Sequence, residues 1–239
     1  MARRRTELPP AARRNEILDA AQRFVASKGF EQMTIEDILA DLSISKGAFY
    51  HYFESKGLLL EALIARMGDE ARGVLVPILE NAQLTALQKL QRWFDMAAQW
   101  KTARKDFLLS LIRVWYNDDN AVVRLKLRSD TLAWIRPLLT QVIQQGIEEG
   151  AFTPSHPKQV GQVVFSLLYD LGDSLADGLL SGPTDEGTFA AARATTAAFT
   201  DAVERALGTQ PGTLSMIDPE LLRGWYTAPA SVAGREYRI

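Results

Sequence analysis

Lys46 and Lys56 each follow a serine able to cap a helix, so each falls in a first helical turn, where the helix dipole disfavours a cation. A phosphate bound at that end reverses the sign, and free backbone N–H groups would meet it as well. Tyr50, His51 and Tyr52 stand between the two lysines. On a helix starting after Ser45, each residue advances by about 100°. Phe49 and Phe53 then share one face, and Gly47 and His51 point the opposite way. Lys46 and Tyr50 flank one side of that outward face and Ala48 the other. Glycine in so short a helix costs about 1 kcal/mol against alanine. Its use is to let another backbone, or a phosphate, come close. Such a surface suits a nucleic-acid backbone. The same residues also read as a small three-helix core with two solvated lysines.

Other chemistries find little material. Among 239 residues there is no cysteine and only two histidines, His51 and His156. That excludes disulfides, thiolate metal sites, a cysteine nucleophile and a histidine-rich metal site. No nucleophile–base pair, glycine-rich phosphate loop or metal-ligand cluster appears, so no catalytic residue, cofactor or metal is assigned. Net charge is −2, so the chain as a whole is no basic coat. Residues 1–14 nevertheless carry five arginines against Glu7 alone. This cationic arm reads equally as a solvated tail and as a local polyanion contact. No apolar run follows it, so it is not a signal peptide, and the apolar window 160–180 is broken by Asp170, Asp173 and Asp177. A cytoplasmic protein without membrane contact is expected.

The elements that must position these residues are helical throughout. Apolar spacing predicts a helix from Pro10 to Lys28, closed by Gly29. Thr34 and Asp37 have capping-box spacing and open a second helix to about Leu42. Ser43-Ile44 makes a tight turn. Ser45 caps a third, seven-residue helix ending near Tyr52 or Phe53, and Ser55 caps a fourth reaching about Glu80. Longer helices follow at about 84–103, 105–116, 119–149, 157–181 and 185–207. Pro77 and Pro137 fall within helical patterns and should kink or end them. The expected organisation is a basic arm (1–14), a helix-turn-helix head (15–55), a helical body (56–207) and a largely irregular tail (208–239). One docked helical turn around Leu221, Leu222 and Trp225 is expected in that tail. The fold class is all-α: a three-helix head and a larger helical domain.

The segment TIEDILADLSISKGAFYHYFESKGLLLEAL resembles the DNA-binding signature of the TetR-like (tetracycline-repressor) family of bacterial transcriptional regulators. The matching elements are Thr34, Ile38, Ser45-Lys46-Gly47, the Phe49–Phe53 block, Ser55-Lys56 and Leu59. ILDAAQRFVASKGF, from Ile17 to Phe30, resembles the family's first helix. The family usually has glycine where Ser43 stands. The resemblance implies that Thr34 donates to a phosphate, and that Ser45, Tyr50 and Lys56 hold the DNA backbone. Lys46, Gly47, Ala48 and His51 would face base edges or adjacent phosphates, with Tyr52 beside them. Arg3, Arg4 and Arg5 would enter a flanking minor groove, or stay solvated.

One short reading helix is too small for specific affinity, and paired half-sites call for a two-fold dimer. Leu168, Leu171, Leu175 and Leu179 form one helical stripe, and Thr195, Phe199 and Val203 lie on another. The resemblance implies a four-helix dimer interface from these two helices; an intramolecular core is the other reading. Trp93, Trp100, Phe107, Leu111, Trp115 and Trp134 make aromatic and apolar stripes that read as core or as the wall of a ligand site. Tyr169 and Asp173 could add polar anchors, and an inward Asp173 would favour a cationic or hydroxylated ligand. The expected whole is a homodimeric, ligand-released repressor that binds double-stranded DNA at an inverted-repeat operator and answers an unknown small-molecule effector. Rival readings are a DNA-binding regulator blind to ligands, and a helical small-molecule carrier or enzyme.

Overall fold

A computed structural model describes residues 9–117 and 120–227. Arg3, Arg4 and Arg5, Asp118 and the tail beyond Thr227 lie outside the described residues. Among the described residues ten α-helices follow one another: α1 (Pro10–Lys28), α2 (Ile35–Leu42), α3 (Lys46–Tyr50), α4 (Lys56–Glu80), α5 (Ala86–Thr102), α6 (Lys105–Trp115), α7 (Ala121–Glu148), α8 (Val160–Ser181), α9 (Glu186–Leu207) and α10 (Pro219–Tyr226). No strand occurs among the described residues. No helix among them is long and apolar enough to cross a membrane.

Caps set most of the boundaries. The capping box at α2 is complete: Thr34 Oγ1 accepts from the Asp37 amide at 3.1 Å, and Asp37 Oδ2 accepts from the Thr34 amide at 2.7 Å. Ser45 accepts from the Ala48 amide at 3.2 Å and Ser55 from the Leu58 amide at 3.1 Å, which starts α3 and α4 where expected. Ser43 ends α2 in the left-handed region, with φ of 50°, and is the only non-glycine with positive φ among the described residues. A side chain there costs about 1–2 kcal/mol, which explains why glycine suits the position. Pro77 and Pro137 end nothing; α4 and α7 run through both. Long apolar flanks outweigh the single backbone hydrogen bond that each proline removes.

The described residues form two compact units, one from the stretches up to 70 and 106–124, the other from 71–105 and from 125 up to 227. The first unit holds the head. Ile17, Leu18, Ala21 and Val25 of α1, Ile38 of α2 and Phe49 of α3 are among its buried residues. Leu59, Leu60 and Leu63 of α4 are buried too, so the head extends past the boundary expected at Ser55. Arg66, one turn further along α4, reaches back to α1. It donates to Asp19 at 2.6 Å, to the Leu18 carbonyl at 3.2 Å and to Gln22.

The second unit buries one main core, with α8 packed on α9. Leu90 and Phe94 of α5, Ile135, Leu139 and Val142 of α7, Val164 and Leu171 of α8, and Val203 and Leu207 of α9 all contribute. The segment after α9 has no regular element from 208 to 218, as expected, yet it is held in place by specific bonds. Glu204, 4 % exposed, accepts from the amides of Gly212 (3.0 Å) and Leu214 (2.7 Å), and folds the chain back. Helix α10 then docks through Leu222 and Tyr226, two turns rather than the single turn expected. The Tyr226 hydroxyl donates to the Leu175 carbonyl at 2.6 Å, and burial pushes its pKa up to about 12. Trp225 Nε1 donates to Thr102 Oγ1 at 3.1 Å, and Gln91 bonds the backbone of Ser215 in both directions.

Candidate nucleic-acid interface

The reading helix α3 has five helical residues rather than seven. His51 is its C-cap, still close to helical geometry, with φ of −64° and ψ of −29°. The expected division of faces survives. Phe49 is fully buried and Phe53 nearly so, their rings 5.9 Å apart. Ser45, Lys46, Gly47, Tyr50 and His51 are exposed, while Ala48 and Tyr52 are half-buried. Tyr50 leaves 39 % of its surface in water although its ring also packs edge-on against Phe49. An aromatic ring and a histidine beside a lysine on one bare face are well matched to sugar, phosphate and base edges.

Gly47 adds an independent sign. A Cβ built there meets nothing nearer than Ser45 Oγ at 4.0 Å. Its backbone conformation is also ordinary, since it is absent from the positive-φ glycines. No contact within the described residues requires glycine, so its bareness acts outward, toward whatever approaches α3. Lys46 has no carboxylate partner among the described residues; its ammonium lies 5.9 Å from the Tyr50 ring centre. It is a free cation at the start of the exposed face.

Two expected contacts are differently placed. The Thr34 hydroxyl donates to Asp37 Oδ2 at 2.8 Å, so its proton already has an acceptor and is not on offer to a phosphate. Thr34 is a helix cap here. Lys56 is tied down as well: its ammonium donates to the Glu31 carbonyl at 3.1 Å and lies 4.6 Å from the Phe30 ring centre. Partial burial lowers its pKa below the usual lysine value. The cation at that helix start therefore has a partner within the head, which its sequence position does not disclose.

Asp37 is the electrostatic joint of this region. Lys28 bonds its carboxylate, and the Thr34 amide and hydroxyl add two more donors. Chiefly through Lys28, its pKa falls from 3.8 to about 2. A depressed carboxylate pKa contributes stability that is complete above the unfolded value and is lost as pH falls through the folded one. The Asp37→Asn variant should therefore melt below the parent protein at pH 5. The difference in Tm should shrink between pH 4 and pH 2 and vanish near the lower limit. Thermal melts followed by circular dichroism across that range check it.

The residues expected at the dimer face are divided by the structure. Val203 is fully buried and Leu171 nearly so, both within the chain's own core, so neither can reach a second copy. Leu168, Leu175 and Phe199 are half-buried and pack on the same core, and Leu179 packs near α10. Thr195 is half-buried. The apolar stripe marks the inner face of α8 and α9. Their outward surface carries Ala190, Ala194, Ala197 and Ala198 on α9 and Val163 on α8.

The eight residues proposed to hold a ligand do not gather in one unit. Phe107, Leu111 and Trp115 belong to the first, and Trp93, Trp100, Trp134, Tyr169 and Asp173 to the second. Phe107 and Leu111 are buried as core. The Tyr169 ring takes the Arg128 guanidinium 4.5 Å from its centre, and Arg128 also pairs with Asp170 at 3.6 Å. Asp170 and Asp177 are exposed and Asp173 is half-buried. Trp134 is stacked under Arg72 at 5.3 Å. Among the described residues no group of acidic or histidine side chains could hold a metal ion.

Comparison with known proteins agrees with the exposed face of α3. Residues 17–63 match the family model described as bacterial regulatory proteins, tetR family. The HTH-type transcriptional repressor KstR2 of Mycolicibacterium smegmatis is 26 % identical over 158 residues, covering 62 % of this chain and 72 % of that one. The HTH-type transcriptional regulator YerO of Bacillus subtilis is 44 % identical over 106 residues, covering 42 % of this chain and 35 % of that one. The crystal structure of a transcriptional regulator from Cytophaga hutchinsonii superposes with a TM-score of 0.59 at 17 % identity, covering 77 % of this chain and 95 % of that one. That likeness establishes the fold. The head geometry and the family match make residues 17–63 a TetR-like helix-turn-helix head, and the chain as a whole is similar to proteins named as HTH-type transcriptional repressors and regulators.

Proposed function

We propose that the protein is a homodimeric repressor that binds an inverted-repeat operator and lets go of it when a small molecule occupies the helical body. The observation that carries the DNA reading is the bare face of α3, where Lys46, Gly47, Tyr50 and His51 are exposed above a buried Phe49. A five-residue helix reaches only a few base edges, so specific affinity calls for two copies on successive major grooves. The alanines on the outer surface of α9 suit close approach of a second α9, because small side chains let helices pack tightly. KstR2 is named a transcriptional repressor, which favours the same sign of regulation here. A role on DNA favours the cytoplasm as its location. Ligand release is coupling between two sites, so operator binding must weaken ligand binding by the same factor.

Selection of the purified protein against a random DNA pool tests this reading. An enriched inverted repeat is expected, with affinity that falls steeply as salt rises, because each phosphate contact releases counterions. A single half-site, or no enrichment at all, would overturn it.

A further inference from the structure

Helix α5 carries two indole donors with nothing to donate to. Trp93 Nε1 and Trp100 Nε1 are both buried, and neither has an acceptor among the described residues. Buried polar groups in folded proteins are nearly always paired, so two orphans on one helix need an explanation. Trp225 shows that the same unit can supply an acceptor to an indole, through Thr102 Oγ1.

The two orphans lie seven residues apart and therefore on nearly the same face, about 10 Å apart along the axis. Ala97 lies between them on that face. Lys101 follows at the end, on the side that Leu90 and Phe94 bury in the core. The residue is exposed, but the protein around it desolvates its ammonium and lowers its pKa. An anion beside it would reverse that effect. No carboxylate is paired with Lys101 among the described residues. Arg104 stacks 4.3 Å from the Trp100 ring centre and donates to the Trp100 carbonyl at 3.4 Å. The C-terminal segment does not cover this face, because its contacts with α5 are made through Gln91 and Thr102 on the opposite side.

The polar groups named on α5 at this face, two indoles and Lys101, are donors without acceptor capacity. A donor-only surface selects its ligand by chemistry: an acceptor for each indole and a negative charge for the lysine. We infer that the effector is an elongated acidic molecule with an apolar body, its anionic end at Trp100 and Lys101 and a second oxygen acceptor near Trp93. The inference rests on the ligand-responsive reading above and gives that ligand a chemical class. It reverses the cationic ligand that an inward Asp173 would have favoured.

Two matched probes differ only in the sign of one end: 10-hydroxydecanoate and 10-aminodecan-1-ol. Indole N–H resonances of the full-length protein, labelled with 15N and assigned with the Trp93→Phe and Trp100→Phe variants, report on each donor separately. The hydroxyacid should shift both resonances downfield with saturation, and the amine should shift neither. Lys101→Met should weaken the hydroxyacid at least tenfold while leaving both indole signals of the free protein in place. Equal response to the amine, or no movement of either indole with the hydroxyacid, overturns the inference. Operator binding measured without any probe keeps the two readings apart. If it is intact while the probes fail, only the ligand class falls; if it is absent, the DNA reading falls instead.

Discussion

Replacing Gly208 by alanine should lower the stability of the second unit by about 3 kcal/mol, summing a left-handed backbone cost of about 1–2 kcal/mol and a steric cost of similar size. Gly208 caps α9 with φ of 69°. A Cβ there would lie 2.6 Å from the carbonyl carbon of Thr153 and overlap its oxygen. Thr153 cannot withdraw freely, because its amide bonds the Leu207 carbonyl at 2.9 Å and its hydroxyl bonds the Gly208 carbonyl at 2.8 Å. Gly212 supplies the control. It has φ of 80°, but nothing lies within 4 Å of its added Cβ. Gly212→Ala should therefore show the backbone cost alone. Denaturant midpoints at constant slope measure both variants, and equal losses would remove the steric part of the argument.

The second large effect concerns DNA. Tyr50→Ala with His51→Ala should reduce operator affinity at least about 100-fold. Each good contact at a base edge is worth about 1–3 kcal/mol, and a dimer loses it at both half-sites. The fold should persist, since Phe49 and Phe53 keep the core side of α3 and both substituted residues are exposed. Gel shifts against the selected operator, with thermal melts as the control, check the two halves of the statement. Retained sequence-specific binding would move the reading surface off α3. Lys56→Met should have a smaller effect, because its ammonium is already committed to the Glu31 carbonyl.

Local chemistry made the head legible. Thr34, Ser45 and Ser55 announce helix starts by residue type alone, and each accepts the amide its position predicts. The split of α3 into a buried phenylalanine side and a bare polar side follows from the helical period. What stayed hidden depends on partners distant in sequence. A leucine stripe says that a face is apolar, but not whether the same chain or a second copy covers it; Leu171 and Val203 lie in their own core. The hold of Glu31 on Lys56 spans 25 residues and has no sequence signature. Thr34 shows a subtler limit. Its spacing to Asp37 predicts the cap, but not that the hydroxyl proton would be taken by the same carboxylate. The orphan indoles of Trp93 and Trp100 read as ordinary stripe residues until the absence of an acceptor is seen.

The strap formed by Glu204, Ser215 and α10 has a consequence for how the protein is made. Its bonds to Gln91 and Thr102 join residues more than 120 positions apart. A ribosome adds about 5–20 residues each second, and domains fold as their last necessary residue emerges. Helices α1 to α3 and the first turns of α4 need nothing beyond Arg66 for the contacts described within them. The contacts of α10 with the second unit cannot form until Tyr226 has been synthesised. The contacts within α1 to α4 can thus form long before the strap that α10 completes.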